Sequence, residues 1–530
     1  MKIIKIKQMK KITYILIALF VVSTGVYAQG QMDALRFSQG DIFGTARAMG
    51  MGGAFGALGG DQTGVSINPA GIAIYGRNEI VGTFQFMENT VRTKCDCSSG
   101  VTRGRGSFNM PSFGFVGYFP LRSHSVPFIN VGLTFNQTQS FNRRVGAVGE
   151  LNSSLLDFIA DRSFGWDGPE LGFRPNFDPF RTDAPWLSAL AYNAQLMTQG
   201  AGGHWTPVNT TDKPFSRINM HERGFVDNFG FTLGTTINNV LSLGASLKVT
   251  TVSYRLDSRY DEDFLYGSGG GGFTLTNMLT TDGAGIGGRF GLIFKPIHEL
   301  RIGVSYHTST RFALRETFWA KLVHYMDYYI ADPSGYNEVF SGDDWNEFDL
   351  RTPDRWTFSL AGILGDLIVS ADYEITNFSN MRLLPPINTR FSRDPFVYDN
   401  EFIQEDFRMA STFRLGLDYR ITPQFSVRAG YAWIQNPNTD SFRNNGNPAV
   451  AGSNTIFMVQ GDTNMFTAGL GYWFNRNLFL DFALVYRTQT NELFAFPNIW
   501  FEEGGLAVDA TPFEMRNTSL RGMLTLGYRF

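Results

Sequence analysis

Segments of about ten residues in which every second side chain is apolar recur along this chain, and that period constrains its fold more than any other feature. In residues 478–487, Leu478, Leu480, Phe482, Leu484 and Tyr486 fall on one face, and Asp481 and Arg487 on the other. In residues 515–530, Leu520, Leu524, Leu526, Tyr528 and Phe530 lie opposite Asn517, Ser519, Arg521, Thr525 and Arg529. Residues 413–420, 425–434 and 464–474 repeat the pattern. Period two over such a length is a strand with one apolar face.

Taken in order, the pattern predicts fourteen strands, near 79–92, 108–120, 128–143, 223–237, 240–257, 282–295, 300–318, 348–363, 367–377, 406–419, 425–434, 464–474, 478–490 and 514–530. The gaps sort by parity. Even-numbered gaps are tight and carry turn residues, such as Asn238-Asn239, Gly365-Asp366 and Thr422-Pro423. Odd-numbered gaps are long, the longest running from Arg144 to Glu222. A secreted β-sandwich or propeller, the runner-up, has no reason to sort loop length this way, whereas an outer-membrane barrel has short periplasmic turns and long extracellular loops. After an N-terminal leader no run of eighteen apolar residues remains, so no transmembrane helix can be drawn. The 49 Phe, 20 Tyr and 58 Gly, with only 18% charged residues, suit a wall that faces lipid. Tyr118, Phe119, Tyr419, Tyr472, Trp473, Phe474, Tyr528 and Phe530 gather beside the short turns, where amphipathic rings meet a membrane interface. The fold class read here is all-β: a 14-stranded antiparallel transmembrane β-barrel.

The leader has five lysines before residue 12, an apolar run from Ile12 to Val22 and a Val26-Tyr27-Ala28 cleavage site, which reads as a signal peptide over 1–28. Its removal takes the formal charge from −3 to −8, which argues against nucleic acid as a partner. Next comes the Gly-rich stretch Gly44 to Gly76. Glycine this dense, mixed with Ile67, Ile72, Ile74 and Tyr75, reads as a plug packed in the lumen, because an exposed flexible linker is poor in apolar residues. Gly50, Gly52 and Gly56 miss the dinucleotide-binding spacing by one residue, and no P-loop is present. The expected domains are therefore signal peptide 1–28, N-terminal plug 29–78 and barrel 79–530.

The Asn68-Pro69-Ala70-Gly71 block, the fourteen-strand parity and the aromatic C-terminus resemble the FadL family of outer-membrane transporters for long-chain fatty acids and related hydrophobic compounds. The likeness covers most of the mature chain and is strongest at its two ends. It implies a monomeric barrel in the outer membrane of a Gram-negative bacterium, inserted by the barrel-assembly machinery and surrounded by outer-membrane lipid. It also implies a lumen hatch, capture of a hydrophobic small-molecule ligand among the outer loops, and exit sideways beside a kinked early strand. The longest loop of this chain follows the third strand, a departure from the family picture. With no ATP motif and no energy-coupling box near Gln29, uptake would be passive. FadL-like barrels also serve as partners of the type IX secretion apparatus, so a non-transporting scaffold is the alternative.

Four arginines, Arg414, Arg428, Arg487 and Arg521, fall on the polar faces of strands ten, eleven, thirteen and fourteen, with Asp418 and Asp481 opposed to them. Buried arginines are usually paired; one left over could receive a ligand carboxylate. Pro111 falls inside the second strand, where its missing amide predicts a bulge or kink. Either Asn68 of the hatch compensates there, making a gate, or Pro111 lies just above the membrane. Two amphipathic stretches of the longest loop, Glu150 to Arg162 and Ala184 to Met197, either display a greasy landing site or pack against each other or the rim. Ser305 and His307 share a face, but no orienting acid accompanies them, so a lipid hydrolase is disfavoured and no catalytic residue is named. Cys95 and Cys97 fall in the first outer loop, as a local disulfide or incidental thiols. The six His form no ligand cluster, and neither metal nor cofactor is expected.

Overall fold

The computed structural model describes residues 30–95, 98–208, 213–264, 271–326, 336–387, 394–450, 452–501 and 505–530. The leader assigned to 1–28 lies outside them, as does Cys97. Fourteen strands form the wall: β1 (Glu79–Cys95), β2 (Ser98–Pro120), β3 (Phe128–Ser140, continued by Arg143–Glu150), β4 (Phe215–Ile237), β5 (Leu241–Asp263), β6 (Gly271–Phe294) and β7 (Leu300–His307, then Arg311–Met326). They continue as β8 (Asp344–Arg351, then Arg355–Leu364), β9 (Leu367–Asn377), β10 (Met409–Arg420), β11 (Phe425–Ile434), β12 (Thr463–Trp473), β13 (Leu478–Phe494) and β14 (Phe513–Arg529). Each strand pairs antiparallel with its neighbours in sequence. β14 also pairs with β1, from Arg529 opposite Glu79 to Glu514 opposite Lys94, which closes the barrel. Closure removes the sheet edge that lipid could not hydrogen-bond.

The apolar faces point outward. On β14, Leu520, Leu524, Leu526 and Tyr528 are exposed while Asn517, Ser519, Arg521 and Thr525 are buried. β4, β5 and β6 run to 23, 23 and 24 residues, beyond the limits the apolar period suggests and about twice what crossing a bilayer needs. Once a strand leaves lipid both its faces are wet, so the period fades. Cross-strand charges hold the pairing there instead, as in Arg223 with Asp257 at 2.7 Å and Arg217 with Asp263.

The plug occupies the lumen. It contains α1 (Gln31–Ser38), α2 (Ala46–Gly50), α3 (Gln62–Ile67) and a 3-10 turn over Pro69–Ile74. Its helices are short because glycines interrupt them, and side chains cap them: Thr45 accepts from the Ala48 amide and Asp61 from that of Thr63. Thr45 in turn donates to Asp61 at 2.8 Å, tying the two helix starts together. The glycine content is explained at two seams. Gly52 has φ +65°, and a Cβ on it would lie 2.9 Å from the Leu415 carbonyl and the Tyr431 amide of β10 and β11. On the opposite wall the glycine belongs to the barrel, where a Cβ on Gly244 would meet the Pro69 carbonyl at 2.3 Å.

The longest loop folds as a cap. Its two longer helices are α4 (Leu155–Arg162) and α5 (Trp186–Asn193). Ser154 caps α4, and Glu262 of β5 accepts from the Ser154 hydroxyl and, at 3.0 Å, from the Leu155 amide. Leu151, Leu155, Phe158 and Ile159 are buried, as are Trp186, Leu187, Leu190 and Ala191. Trp186 packs on Phe318 of β7 with ring centroids 5.0 Å apart. The amphipathic stripes therefore seat the cap on the rim and are not displayed to the medium.

Candidate functional site: a lumen cavity and a parted wall

On the cap side of the plug lies a cavity of about 260 Å3. Met87, Leu256, Leu279, Phe318, Ile456 and Met458 give it apolar lining, while Arg487, Arg521 and Asp41 bring charge from the wall and the plug. A second cavity of about 220 Å3 lies on the side of the short turns, and the two share no lining residue. Its lining is densely charged, with Arg47, Asp61, Glu79, Asp418, Arg428, Asp481 and Arg529.

All four sequence-selected arginines point inward, and they differ in how fully they are paired. Arg428 bonds Asp481 at 2.6 Å, Asp418 at 3.2 Å and Ser426 at 3.0 Å. Arg414 bonds Glu374 at 2.5 Å and lies 3.9 Å from Asp372. Arg521 donates to Asp41 and, at 3.1 Å, to the Ile42 carbonyl, and stacks over the Phe43 ring. Arg414 Nε and Nη1 have no hydrogen-bond partner among the described residues, but Arg414 keeps its close ion pair and does not line the cavity; Arg487 does line it and has no close ion pair. Its Nε stands 3.6 Å from Asp41 and has no hydrogen-bond partner among the described residues, and Thr463 and Gln489 sit at 3.3 Å from Nη2. Its side chain is 17% exposed against 2% for Arg521, and it lines the cavity. Burial alone would lift the Asp41 carboxyl, but the Arg521 and Arg487 guanidiniums outweigh it and hold Asp41 below the usual carboxylate range. Asp41 is a plug residue that pattern reading passed over, because nothing in the sequence places it beside strands more than 400 residues away.

The wall parts between β2 and β3. Their ladder starts at Pro120 opposite Phe128 and stops at Ser112 opposite Asn136; from Asn109 back to Ser98, β2 pairs with β1 and not with β3. At the stopping point β2 carries a bulge, with Met110 and Pro111 opposing the single residue Phe84. Above it, side-chain amides span the strands: Gln85 donates to Asn109 at 3.3 Å, and Asn109 donates to Gln137. The plug reaches this place through α3. Gln62 donates to the Phe113 and Phe135 carbonyls, and Ser66 accepts from Asn136 at 2.7 Å.

Asn68 does not serve Pro111. Its amide donates to Gly56 at 2.8 Å and to the Leu292 carbonyl of β6 at 3.1 Å, while its oxygen caps Ala70. Pro69 and Ala70 rest on Gly244 and Gly291 of β5 and β6, and Gly71 packs against Gly59 within the plug. The expected contact with Pro111 is corrected for a geometric reason. Asn68, Pro69 and Ala70 are held against β5 and β6, and the turn meets β2 through Ile72, which clusters with Val116, and not at Pro111. Ser305 and His307 both engage the Ile67 carbonyl, at 2.9 and 2.7 Å, so they clamp the plug and do not face each other as nucleophile and base. Among the described residues no group of three or more His, Cys, Asp and Glu could hold a metal ion.

Residues 226–512 match the family model for outer membrane protein transport proteins (OMPP1/FadL/TodX). In fold the chain is similar to a Pseudomonas aeruginosa FadL homologue, at 14% identity over 93% of this chain and 99% of that one, with a TM-score of 0.51. The Pseudomonas putida toluene transporter TodX aligns at 13% identity over 92% and 99% of the two chains, TM-score 0.48. The Ralstonia pickettii toluene transporter TbuX aligns at 16% identity over 92% and 98%, TM-score 0.45. No curated protein matches the sequence.

Proposed function

We propose that this chain, which belongs to the outer membrane protein transport family (OMPP1/FadL/TodX), carries a hydrophobic carboxylate such as a long-chain fatty acid passively across the outer membrane. The observation that carries this reading is Arg487: an under-paired cation at the edge of an apolar-lined lumen cavity. A carboxylate arriving there gains charge-assisted bonds to the guanidinium while its tail lies along Met87, Leu256 and Leu279. Arg428 and Arg521 spend their donors on Asp481 and Asp41, and Arg414, although its Nε and Nη1 are unbonded, stands outside the cavity lining beside Glu374 and Asp372; these three act as supports of the wall and plug.

The route out of the cavity is set by polarity. Passing the plug toward the second cavity would place an apolar tail among the charges of Arg47, Asp61, Asp418 and Asp481, which are costly to desolvate. Sideways, the ladder between β2 and β3 has already ended, and Phe84, Phe86 and Phe108 face lipid beside it. The Asn109–Gln137 amide contact is the latch in this reading, and Pro111 is what interrupts the strand. Plug boundaries at 29–78 and a barrel from 79 onward belong to the same proposal.

Uptake of labelled laurate and oleate into cells tests both parts. Arg487→Gln should leave the barrel folded and weaken uptake about ten- to a hundredfold, the worth of a hydrogen bond to a charged group. Asn109→Cys with Gln137→Cys, bridged by a short bis-thiol reagent, should stop uptake and recover when the bridge is cleaved. Unchanged uptake in Arg487→Gln removes the carboxylate; unchanged uptake in a verified bridge removes the lateral route.

A further inference from the structure

Across β5 to β8 the inner wall carries a row of cations that the transport reading leaves unused. Arg289 of β6 is directly opposite His307 of β7, and His307 is directly opposite Arg355 of β8. Lys248 of β5 stands opposite Gly287, two residues along from Arg289. A Cβ on Gly287 would come within 3.4 Å of the Lys248 Cε, so the missing side chain leaves that ammonium its space. Like charges on facing positions of adjacent strands repel and destabilise a sheet.

The carboxylates within reach do not balance this row. Arg355 bonds Glu374 at 3.1 Å, but Glu374 also holds Arg414, whose other neighbour is Asp372. Four cations, Lys248, Arg289, Arg355 and Arg414, thus share two carboxylates, so with all four protonated the row is short of two negative charges. Arg289 is 6% exposed, makes no ion pair among the described residues, and has a buried Nε without a partner. A buried unpaired guanidinium is costly, and a fold keeps one where something else supplies the counter-charge. Arg355 lines the cavity and its Nη2 lies 3.9 Å from where a Cβ on Gly40 of the plug would stand, so the row is reached from the cavity at that end.

We propose that Lys248, Arg289 and Arg355 form a buried anion site that takes a phosphate dianion. Two unmet charges match a phosphate monoester, and its oxygens can accept from two guanidiniums and an ammonium together. The phosphate has two possible sources: free inorganic phosphate, or the head of an amphiphile whose tail occupies the cavity. The site uses residues other than Arg487, so laurate uptake and phosphate binding can fail separately.

The test is calorimetry on the purified full chain in a neutral maltoside detergent at pH 8, with inorganic phosphate, dodecyl phosphate and dodecanol as probes. Dodecyl phosphate should bind and dodecanol should not show the same site. Arg289→Gln and Lys248→Gln should each weaken phosphate binding at least about tenfold, and Arg289→Lys should retain more of it than Arg289→Gln. Heat-modifiable migration on a gel checks that each variant is folded, and Lys248→Gln stands in if Arg289→Gln fails that check. Binding of inorganic phosphate alone assigns the site to a free anion; binding that needs the dodecyl chain assigns it to a head group. Absence of binding by either phosphate probe, or equal binding by wild type and both folded Gln variants, overturns the proposal.

Discussion

Asp372 is the wall residue whose removal should release the plug most directly. It is 1% exposed and accepts from two consecutive plug amides, Phe55 at 3.0 Å and Gly56 at 3.1 Å. Arg414 Nη1 lies 3.9 Å from the same carboxylate. In Asp372→Ala those amides lose their acceptor in a dry place, and Arg414 is left with Glu374 alone. Hydrogen bonds to a charged group are worth about 1.5–3 kcal/mol each, so two set the docking loss at about 3–6 kcal/mol. At about 1.4 kcal/mol per factor of ten, the undocked fraction rises roughly a hundredfold to ten-thousandfold. Single-channel recording in planar bilayers reads this as bursts of conductance in a barrel otherwise closed. Asp372→Asn retains one acceptor oxygen and should fall between wild type and Asp372→Ala. A folded, heat-modifiable Asp372→Ala protein that stays as closed as wild type would refute the anchoring role.

The glycine seam gives a second expectation. Gly244→Val puts a branched side chain where a Cβ already meets the Pro69 carbonyl at 2.3 Å, so the plug cannot seat, and the variant should conduct or lose heat resistance on a gel. The third concerns pH. Burial pushes Asp399 and Asp406, on the outer-loop helix α6 (Val397–Asp406), up to about 6, and Gln31 of the plug donates to Asp406. A carboxyl whose folded value is raised takes up its proton more readily in the folded state. The buried seat of α6 is therefore most stable at and below about pH 4 and loses stability as pH rises through about 6, the Gln31 bond to Asp406 opposing this because it favours the carboxylate. Hydrogen exchange across residues 397–406, corrected for intrinsic rates, should show more protection at pH 5 than at pH 7.5, and Asp406→Asn should abolish most of that difference.

The wall was legible because lipid enforces it. A residue that faces hydrocarbon must be apolar, so Leu520, Leu524, Leu526 and Tyr528 announce their strand without help from any neighbour. Where lipid stops, legibility stops. The outer parts of β4 to β6 are held by pairs such as Arg223 with Asp257, which have no period to read. The interruptions of β7 at 308–310 and of β8 at 352–354 leave no apolar signature either. Thr310 and Thr352 bond across the two breaks, from the Thr310 amide to the Thr352 hydroxyl and from the Thr352 amide to the Thr310 carbonyl.

The lumen follows a different rule, and the same reasoning explains what was missed in it. An inward side chain is chosen by whatever the plug presents at that height, and the plug is folded by local caps whose outward-facing residues carry no repeat. Arginines on polar strand faces were readable as inward cations; which of them stays under-paired at the cavity was not, because the answer depends on how Asp41 divides between Arg487 and Arg521. Likewise Pro111 was readable as an interruption of β2, since proline lacks the amide wherever it falls. The residues that meet that interruption are Gln62, Ser66, Asn109 and Gln137, four ordinary polar side chains from three segments. Asn68, in its recognisable Asn-Pro-Ala-Gly block, is instead committed to β5 and β6 by the glycines that receive it. A motif made conspicuous by proline and glycine marks where backbone must approach backbone. The side chains that govern passage need only reach each other, and amides can do that from any point in the sequence.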